Sequence, residues 1–491
     1  MRHAITRRSL LSGIAATVVI GFDPVRKSWV TAAAASPDGS APSLLPVPQL
    51  DGVLRTDPPT LDAAGDDFGH TIHREPIAVL EAGSIEDIVK MVDYARRHDL
   101  TIVNRGQGHS TFGQSQTRGG IVVDSSAGTT LRTIHSVGHD RIEVGPGARW
   151  REVIDASLAH GLTPPTIPDY LDLSVGGTLS IAGVGGESHR HGLQIDNVLA
   201  LEVVTGTGAR RTCSDTEHPA LFEAVLGGLG QFALITRATI RLVAAPSMAR
   251  VYNLTYDNLS TFIRDAHTLA LDERFSHLEG QASANPGGGW TWVLFATSYF
   301  TPPATPNDAA LLAGLSDRAS SRQIQDVPYP AFLARIDPLI EAQKQSGTWF
   351  QPHPWFDVFL SSSVTTKYVD GILDHLTVDD TGGGPILLYP MRRSKLRRPF
   401  FRAPDEEVFF LFDLLYNTRP DPNLLESKIR LNRRFYERAR DIGGTRYCFN
   451  SIPFSHEDWK RHFGVVWPAF ALSKAAFDPE NVLTPGPGIF R

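Results

Sequence analysis

Ile85, Ile88, Val89 and Val92 recur at the spacing of one helix face, and Ser84 with Asp87 has the form of a capping box. This predicts an amphipathic helix from residue 85 to about residue 98, packed on a sheet. Short apolar runs rich in β-branched residues predict strands at 101–104, 121–123, 142–144, 201–204 and 235–242. A second helix is predicted from Trp150 to His160, closed by Gly161. From about Pro246 the pattern shifts towards aromatics, prolines and longer amphipathic helices, one of them running from Asn423 to Ile442 between Pro422 and Gly443. The turn-rich run from Phe477 to Phe490 predicts that the chain returns to its first region. The fold class expected is α+β in two domains.

Composition narrows the function. With 42% hydrophobic and 20% charged residues the chain is an ordinary globular one. Its formal net charge of −6 argues against a nucleic-acid binder. The local basic run Arg392, Arg393, Lys395, Arg397, Arg398 and Arg402 reads as a solvated loop or rim. The two cysteines, Cys213 and Cys448, allow one bridge but no disulfide framework, and neither Cys-x-x-Cys nor His-Glu-x-x-His occurs. His189 and His191 lack an acidic or thiol partner at a recognisable spacing and read as loop contacts, so no metal is expected.

The first residues have a different character. Arg7 and Arg8 precede the apolar stretch from Leu10 to Phe22, and Ala32 to Ala35 supply small residues for cleavage, the order of a twin-arginine export signal. That route carries proteins already folded, which suits one that acquires a cofactor before export. A signal over 1–36 and a Pro/Ala/Ser-rich linker over 37–66 are expected, with a secreted or cell-envelope destination and no stable membrane anchor.

The segment from Arg105 to Gln114 sets His109 among Gly106, Gly108 and Gly113. Glycines allow positive φ and close approach of backbone to ligand, and successive amides can bind anions, so the loop suits a phosphate-bearing cofactor. No helix-opening Gly-x-Gly-x-x-Gly follows the strand, so the dinucleotide-binding Rossmann pattern is not met.

Several motifs in order resemble one family, the cytokinin dehydrogenases, flavoproteins of vanillyl-alcohol oxidase type. They are Gly108-His109-Ser110 with Gly113-Gln114, Asp169-Tyr170-Leu171, Val175 to Ser180, His191-Gly192 with Gln194, and Leu226 to Phe232. Leu278-Glu279-Gly280, His353-Pro354-Trp355, Gly384-Pro385-Ile386, Trp459, Arg461 to Gly464 and Pro485-Gly486 complete the set. The resemblance spans about residue 70 to the C-terminus. It implies an FAD-binding PCMH-type domain at 67–245, a substrate-binding cap at 246–450, and a segment at 451–491 returning to the FAD domain.

The resemblance also implies roles. His109 matches the position bonded covalently to the 8α-methyl carbon of FAD, and a neutral imidazole is a competent nucleophile there. Gly106, Gly108, Ser110, Gln114, Asp169, Ser174, Thr178, Ser180, Val184, Leu234, Phe449, Thr484 and Pro487 match positions around FAD. Asp169 matches the catalytic aspartate and Glu279 a carboxylate that binds the purine, while His353 and Trp355 read as supports of the second domain. Leu396 stands where plant members carry a tryptophan lining the substrate tunnel, Phe449 where a tyrosine is expected, and Pro487 where a glutamine is common. The activity implied is oxidation of the secondary amine of N6-substituted adenines by a monomer, with an external acceptor such as a quinone. An alcohol or sugar oxidase of the same fold is the alternative, and the absence of cysteine between His109 and Cys213 weighs against its berberine-bridge form.

Overall fold

The computed structural model describes residues 19–23, 28–31, 45–285 and 288–490. Two units separate, Met1–Gln49 and Leu50–Arg491. In the first, Val19–Asp23 pairs antiparallel with Ser28–Thr31 and with Leu45–Pro46. The arginine pair and the alanine run of the export pattern lie largely outside the described residues. No helix among the described residues is long and apolar enough to cross a membrane.

The second unit begins at Leu50, earlier than the linker expected to residue 66. Strand Val53–Arg55 pairs with Ala78–Glu81, and helix Pro58–Ala64 follows Asp57, whose carboxylate accepts from Thr60 N at 3.1 Å. The capping-box reading at Ser84 also changes. Ser84 Oγ accepts from Asp87 N at 3.3 Å, but the buried Asp87 carboxylate accepts from Asp51 N, Gly52 N and Gly83 N at 2.8, 2.8 and 2.9 Å. It therefore fastens residues 50–52 to the start of helix Ile85–Arg97 rather than closing on Ser84.

Two sheets organise the first half. In one, Ala78–Glu81 and Ile102–Arg105 flank Ile121–Asp124 in parallel, with Val53–Arg55 antiparallel at the edge. The other is antiparallel, in the order Arg210–Ser214, Val198–Thr205, Ala233–Arg241, Arg141–Val144, Ile134–Val137. The tail returns beside the first sheet: Ile102 N donates to Val482 O and Thr484 N to Ile102 O, each at 2.9 Å. Helices Trp150–Leu158 and Pro422–Asp441 lie where predicted, the second with Pro422 inside it and Asp421 as the cap.

The second half is one eight-stranded antiparallel sheet, ordered Gln323–Pro328, Met248–Tyr256, Trp290–Phe300, His277–Ala284, Ile386–Arg392, Val408–Leu414, Phe356–Ser361, Thr445–Arg446. Both faces of its centre are buried. Along Val408–Leu414, residues Val408, Phe410, Phe412 and Leu414 enter a core shared with helices Leu259–Asp272, Ser362–Leu373 and Pro422–Asp441. Alternate residues Phe409 and Leu411 pack towards the first half of the chain. Period-two geometry thus sends Asp413 to that same side.

One further expectation is corrected. Arg398, read as part of a solvated run, is buried, donates to Asp215 at 2.8 Å and lies over the Phe222 ring at 4.5 Å. Cys213 and Cys448 are both free, the former inside the core. Leu396 follows a short turn, Arg393–Lys395, whose Ser394 bonds Glu407, and it packs against the core.

Candidate functional site

Strand Ile102–Arg105 delivers the glycine-rich loop into a cavity of about 420 Å³. Asp67, which sequence reasoning missed, organises that loop. Its carboxyl accepts from Gly113 N at 2.7 Å, Ser110 Oγ at 3.0 Å and Gly69 N at 3.1 Å. Burial pushes its pKa up to about 7, against the hydrogen bonds from Gly113 and Ser110. Gly108 and Gly113 take φ of 64° and 73°, which favours glycine. A Cβ on Gly106 would fall 1.9 Å from Ser174 Oγ, so the two segments can meet only with glycine there. Thr111 N donates to Phe449 O at 3.1 Å and Gln114 Nε2 to Asn450 O at 3.1 Å, tying the loop to 449–450.

His109 stands on the cavity wall inside an aromatic cage. Phe68 meets it edge-on at 4.0 Å between centroids, Tyr170 at 5.0 Å and Trp355 at 5.6 Å. His353 stacks on Phe68 at 4.0 Å, and His353 and Trp355 both line this end of the cavity. Burial drives the His109 pKa down to about 3, with His353 adding to the effect, so the ring is neutral at physiological pH.

The same cavity is bordered by Gly106, Gly108, Ser110, Gln114, Ser174 and Thr178, and by Ser180, Val184, Leu234, Phe449, Thr484 and Pro487. Asp169 and Glu279 face it too, whereas Leu396 contributes no part of its wall. Among the described residues no lysine or arginine lines it. These residues fit FAD: glycines admit close approach, hydroxyls and backbone amides supply neutral donors for a pyrophosphate, and His109 offers a neutral ring nitrogen.

Asp169 follows Pro168 on a loop leading to helix Val175–Ile181. Its Oδ1 accepts from Arg335 Nη2 and its Oδ2 from the Tyr389 hydroxyl. The same Arg335 nitrogen donates to Glu279 Oε2 at 2.8 Å. Behind Glu279, His277 Nε2 lies 3.5 Å from Oε2, while His277 Nδ1 lies 3.3 Å from Glu187 Oε1, which also accepts from Tyr299 at 2.6 Å. Asp169, His277 and Glu279 bring ligating atoms within 4.8 Å of one another, and the positive charge in their midst is the Arg335 guanidinium.

Electrostatics separates the two carboxyls. Burial raises the Asp169 pKa, opposed by the Arg335 charge and helped by the Glu279 charge. Burial would raise Glu279 as well, but Arg335 and the hydrogen bond to His277 hold it down at about 2. Glu279 is therefore a fixed anion, and Asp169 is the member of the pair poised to exchange a proton.

Arg335 precedes helix Asp337–Ser346, none of whose side chains is buried. Ile336, Leu339, Ile340 and Gln343 line the cavity mouth. Arg151 anchors this helix to the first half, donating to the two Asp337 oxygens at 2.9 and 3.0 Å and to Asp172 at 3.1 Å. Neither Arg335 nor Tyr389 carried a sequence signal, because nothing in spacing or pattern marks a residue that acts across more than a hundred positions.

Comparison with known proteins agrees with this geometry. Residues 306–490 match the family described as cytokinin dehydrogenase 1, FAD and cytokinin binding, and residues 76–214 match the FAD binding domain. The chain is 38% identical over 437 residues to an uncharacterized oxidoreductase of the fasciation locus of Rhodococcoides fascians, covering 89% of this chain and 99% of that protein. It is 35% identical over 493 residues to cytokinin dehydrogenase 9 of Oryza sativa subsp. japonica, covering 93% of each. Cytokinin dehydrogenase 4 of Arabidopsis thaliana is 33% identical, over 91% of this chain and 94% of that one. In three dimensions the chain resembles 6-hydroxy-D-nicotine oxidase from Arthrobacter nicotinovorans, with a TM-score of 0.68 at 22% identity over 88% of this chain and 96% of that one. It also resembles a VAO-type flavoprotein from Myceliophthora thermophila, with a TM-score of 0.70 at 16% identity over 88% and 86%. Both likenesses concern the fold. Given near-full-length similarity to curated relatives, the chain is an FAD-dependent oxidoreductase belonging to the cytokinin dehydrogenase family.

Proposed function

We propose that the protein oxidises the secondary amine of N6-substituted adenines such as isopentenyladenine, giving an imine that water hydrolyses to adenine and an unsaturated aldehyde. The observation that carries this reading is Asp169, a half-buried carboxyl on the cavity wall, held by Arg335 and Tyr389 in the cavity that contains His109. FAD in this cavity supplies the hydride acceptor. Asp169 accepts a hydrogen bond from the substrate amine and takes its proton as hydride leaves the neighbouring carbon, and its charge favours the cation developing there. Tyr389 and Arg335 each occupy one Asp169 oxygen, leaving other lone pairs for the amine. Glu279, fixed as an anion, accepts from a purine N–H, and the apolar mouth at Ile336, Leu339 and Ile340 suits an alkenyl side chain.

In the same reading His109 carries FAD covalently, an external acceptor such as a quinone collects the electrons, and the enzyme is exported as a monomer. Anaerobic mixing of the yellow protein with isopentenyladenine tests the substrate assignment. Bleaching of the visible flavin band by isopentenyladenine, but not by adenine or a simple sugar, is expected. Reduction by dithionite alone moves the substrate to an alcohol or sugar.

A further inference from the structure

Outside the Asp169–Glu279 network, a second pair of carboxyl groups sits on the cavity side of the eight-stranded sheet. Asp357 and Asp413 face each other in register on neighbouring antiparallel strands. Asp357 is fully buried and Asp413 is 6% exposed. Each carboxyl perturbs the proton affinity of the other, and Asn450 Nδ2 donates to the Asp357 backbone carbonyl at 2.7 Å. Both side-chain oxygens of Asp357 and Oδ1 of Asp413 meet no hydrogen-bond partner among the described residues. Asp413, but not Asp357, reaches the cavity wall, beside Leu387 in register and on the strand that also presents Leu411.

Two carboxylates in contact and out of water cannot both be charged, because their repulsion and desolvation far exceed the cost of keeping one proton. The charged and titratable groups around the pair sort the two members. Arg446, on the strand next to that of Asp357, favours a charge on Asp357, whereas Asp169 opposes a charge on Asp413. Tyr447 faces both and stays neutral, raised by its own burial.

We propose that Asp357 and Asp413 hold one proton between them, and that when the purine binds this proton sits on the Asp413 oxygen facing the cavity, where it turns from Asp357 and is donated to a ring nitrogen of the ligand. Asp413 is then a specificity-determining residue. This rests on the substrate reading above and extends it: Glu279, an anion, can only accept from the ring, and Asp413 supplies the complementary donor. The burial that raises Asp413 well above the ordinary aspartate range, and Asp357 to about 7, supports the same assignment. As pH rises and the shared proton leaves, a carboxylate replaces the donor beside the ring nitrogen and affinity falls.

The test uses flavin-loaded full-length enzyme. Infrared difference spectra of wild type against Asp413→Asn should contain the carbonyl stretch of a protonated carboxylic acid, lost in the variant. Titration with isopentenyladenine, followed by perturbation of the flavin absorption, should give Asp413→Asn an affinity close to wild type and Asp413→Leu one about tenfold weaker, the worth of one buried hydrogen bond. Wild-type affinity should decline from neutral to alkaline buffer, and that of Asp413→Asn should not. Where Asp413→Leu fails to bind flavin, Asp357→Asn serves instead, leaving Asp413 without its proton-sharing partner and shifting the pH at which affinity declines. Absence of the carboxylic acid band overturns the shared proton. A band with unchanged affinity in Asp413→Leu at every pH overturns the contact with the ligand. If isopentenyladenine leaves the wild-type spectrum unperturbed, the substrate reading fails, and the infrared band still decides the state of the pair.

Discussion

Asp169 and Glu279 are held by one and the same nitrogen, Nη2 of Arg335, which stands 2.8 Å from Glu279 Oε2 while donating to Asp169 Oδ1. A single half-buried cation therefore fixes the distance between the carboxyl assigned to the amine and the one assigned to the ring. Removing it leaves the buried Glu279 and the half-buried Asp169 with one cationic partner fewer. Arg335→Ala is expected to cost about 3 kcal/mol of stability, or to force proton uptake by Asp169, because uncompensated buried charge is that expensive. Thermal unfolding reports the first and stopped-flow flavin reduction the second, with a fall of roughly a hundredfold. Arg335→Lys should not rescue the rate, since an ammonium lacks the planar guanidinium geometry.

Asp169→Asn should retain yellow colour and lose turnover by a factor of about a hundred to ten thousand, the range for removing a proton acceptor. The pH profile separates this from mere loss of packing. Burial raises the Asp169 pKa, and the group works as the carboxylate, so wild-type turnover should fall as pH drops through that raised value. The limb should lie above the ordinary aspartate pKa of about 3.9 and vanish in Asp169→Asn. An unchanged acid limb in the variant would remove Asp169 from the proton transfer.

The glycine-histidine loop was legible because its requirements are local: positive φ at Gly108 and Gly113 and close approach at Gly106 each demand glycine at its own position. The acid network was not, since Arg335 lies 166 positions from Asp169 and Tyr389 lies 220 from it. Asp87 shows how a local rule yields to tertiary contact, its carboxylate taken by the 51–52 amides. The central strand Val408–Leu414 hides its alternation because cores lie on both of its faces, and Asp413 looks there like an accident in an apolar run. Arg398 departs from its sequence reading for a related reason. A basic run reads as surface until Phe222 and Asp215 close over one member of it.

Asp67 ties stability to pH. In the folded protein its carboxyl holds a proton up to about pH 7, whereas in the unfolded chain it releases it near pH 4. Its contribution is fully present below the unfolded value and is lost as pH rises through the folded one, a change on the order of a few kcal/mol. Asp67→Asn should flatten that part of the melting-temperature profile between about pH 4 and about pH 7. It should also loosen the loop, because an amide has one acceptor oxygen for the Gly113 and Gly69 N–H groups that the carboxyl now receives.

His109→Ala tests the attachment of the cofactor. The ring is neutral because burial holds its pKa near 3, so its nitrogen lone pair is available at physiological pH. Wild-type protein denatured in guanidinium and filtered should keep its yellow colour, and His109→Ala should release it to the filtrate. The aromatic cage of Phe68, Tyr170 and Trp355 remains in the variant, so the native variant should still bind FAD and stay folded. Its flavin reduction potential should drop and its turnover slow by roughly tenfold or more, as expected when a substituent that stabilises the reduced cofactor is lost. Release of all colour from the denatured wild type would mean that His109 only packs against the flavin.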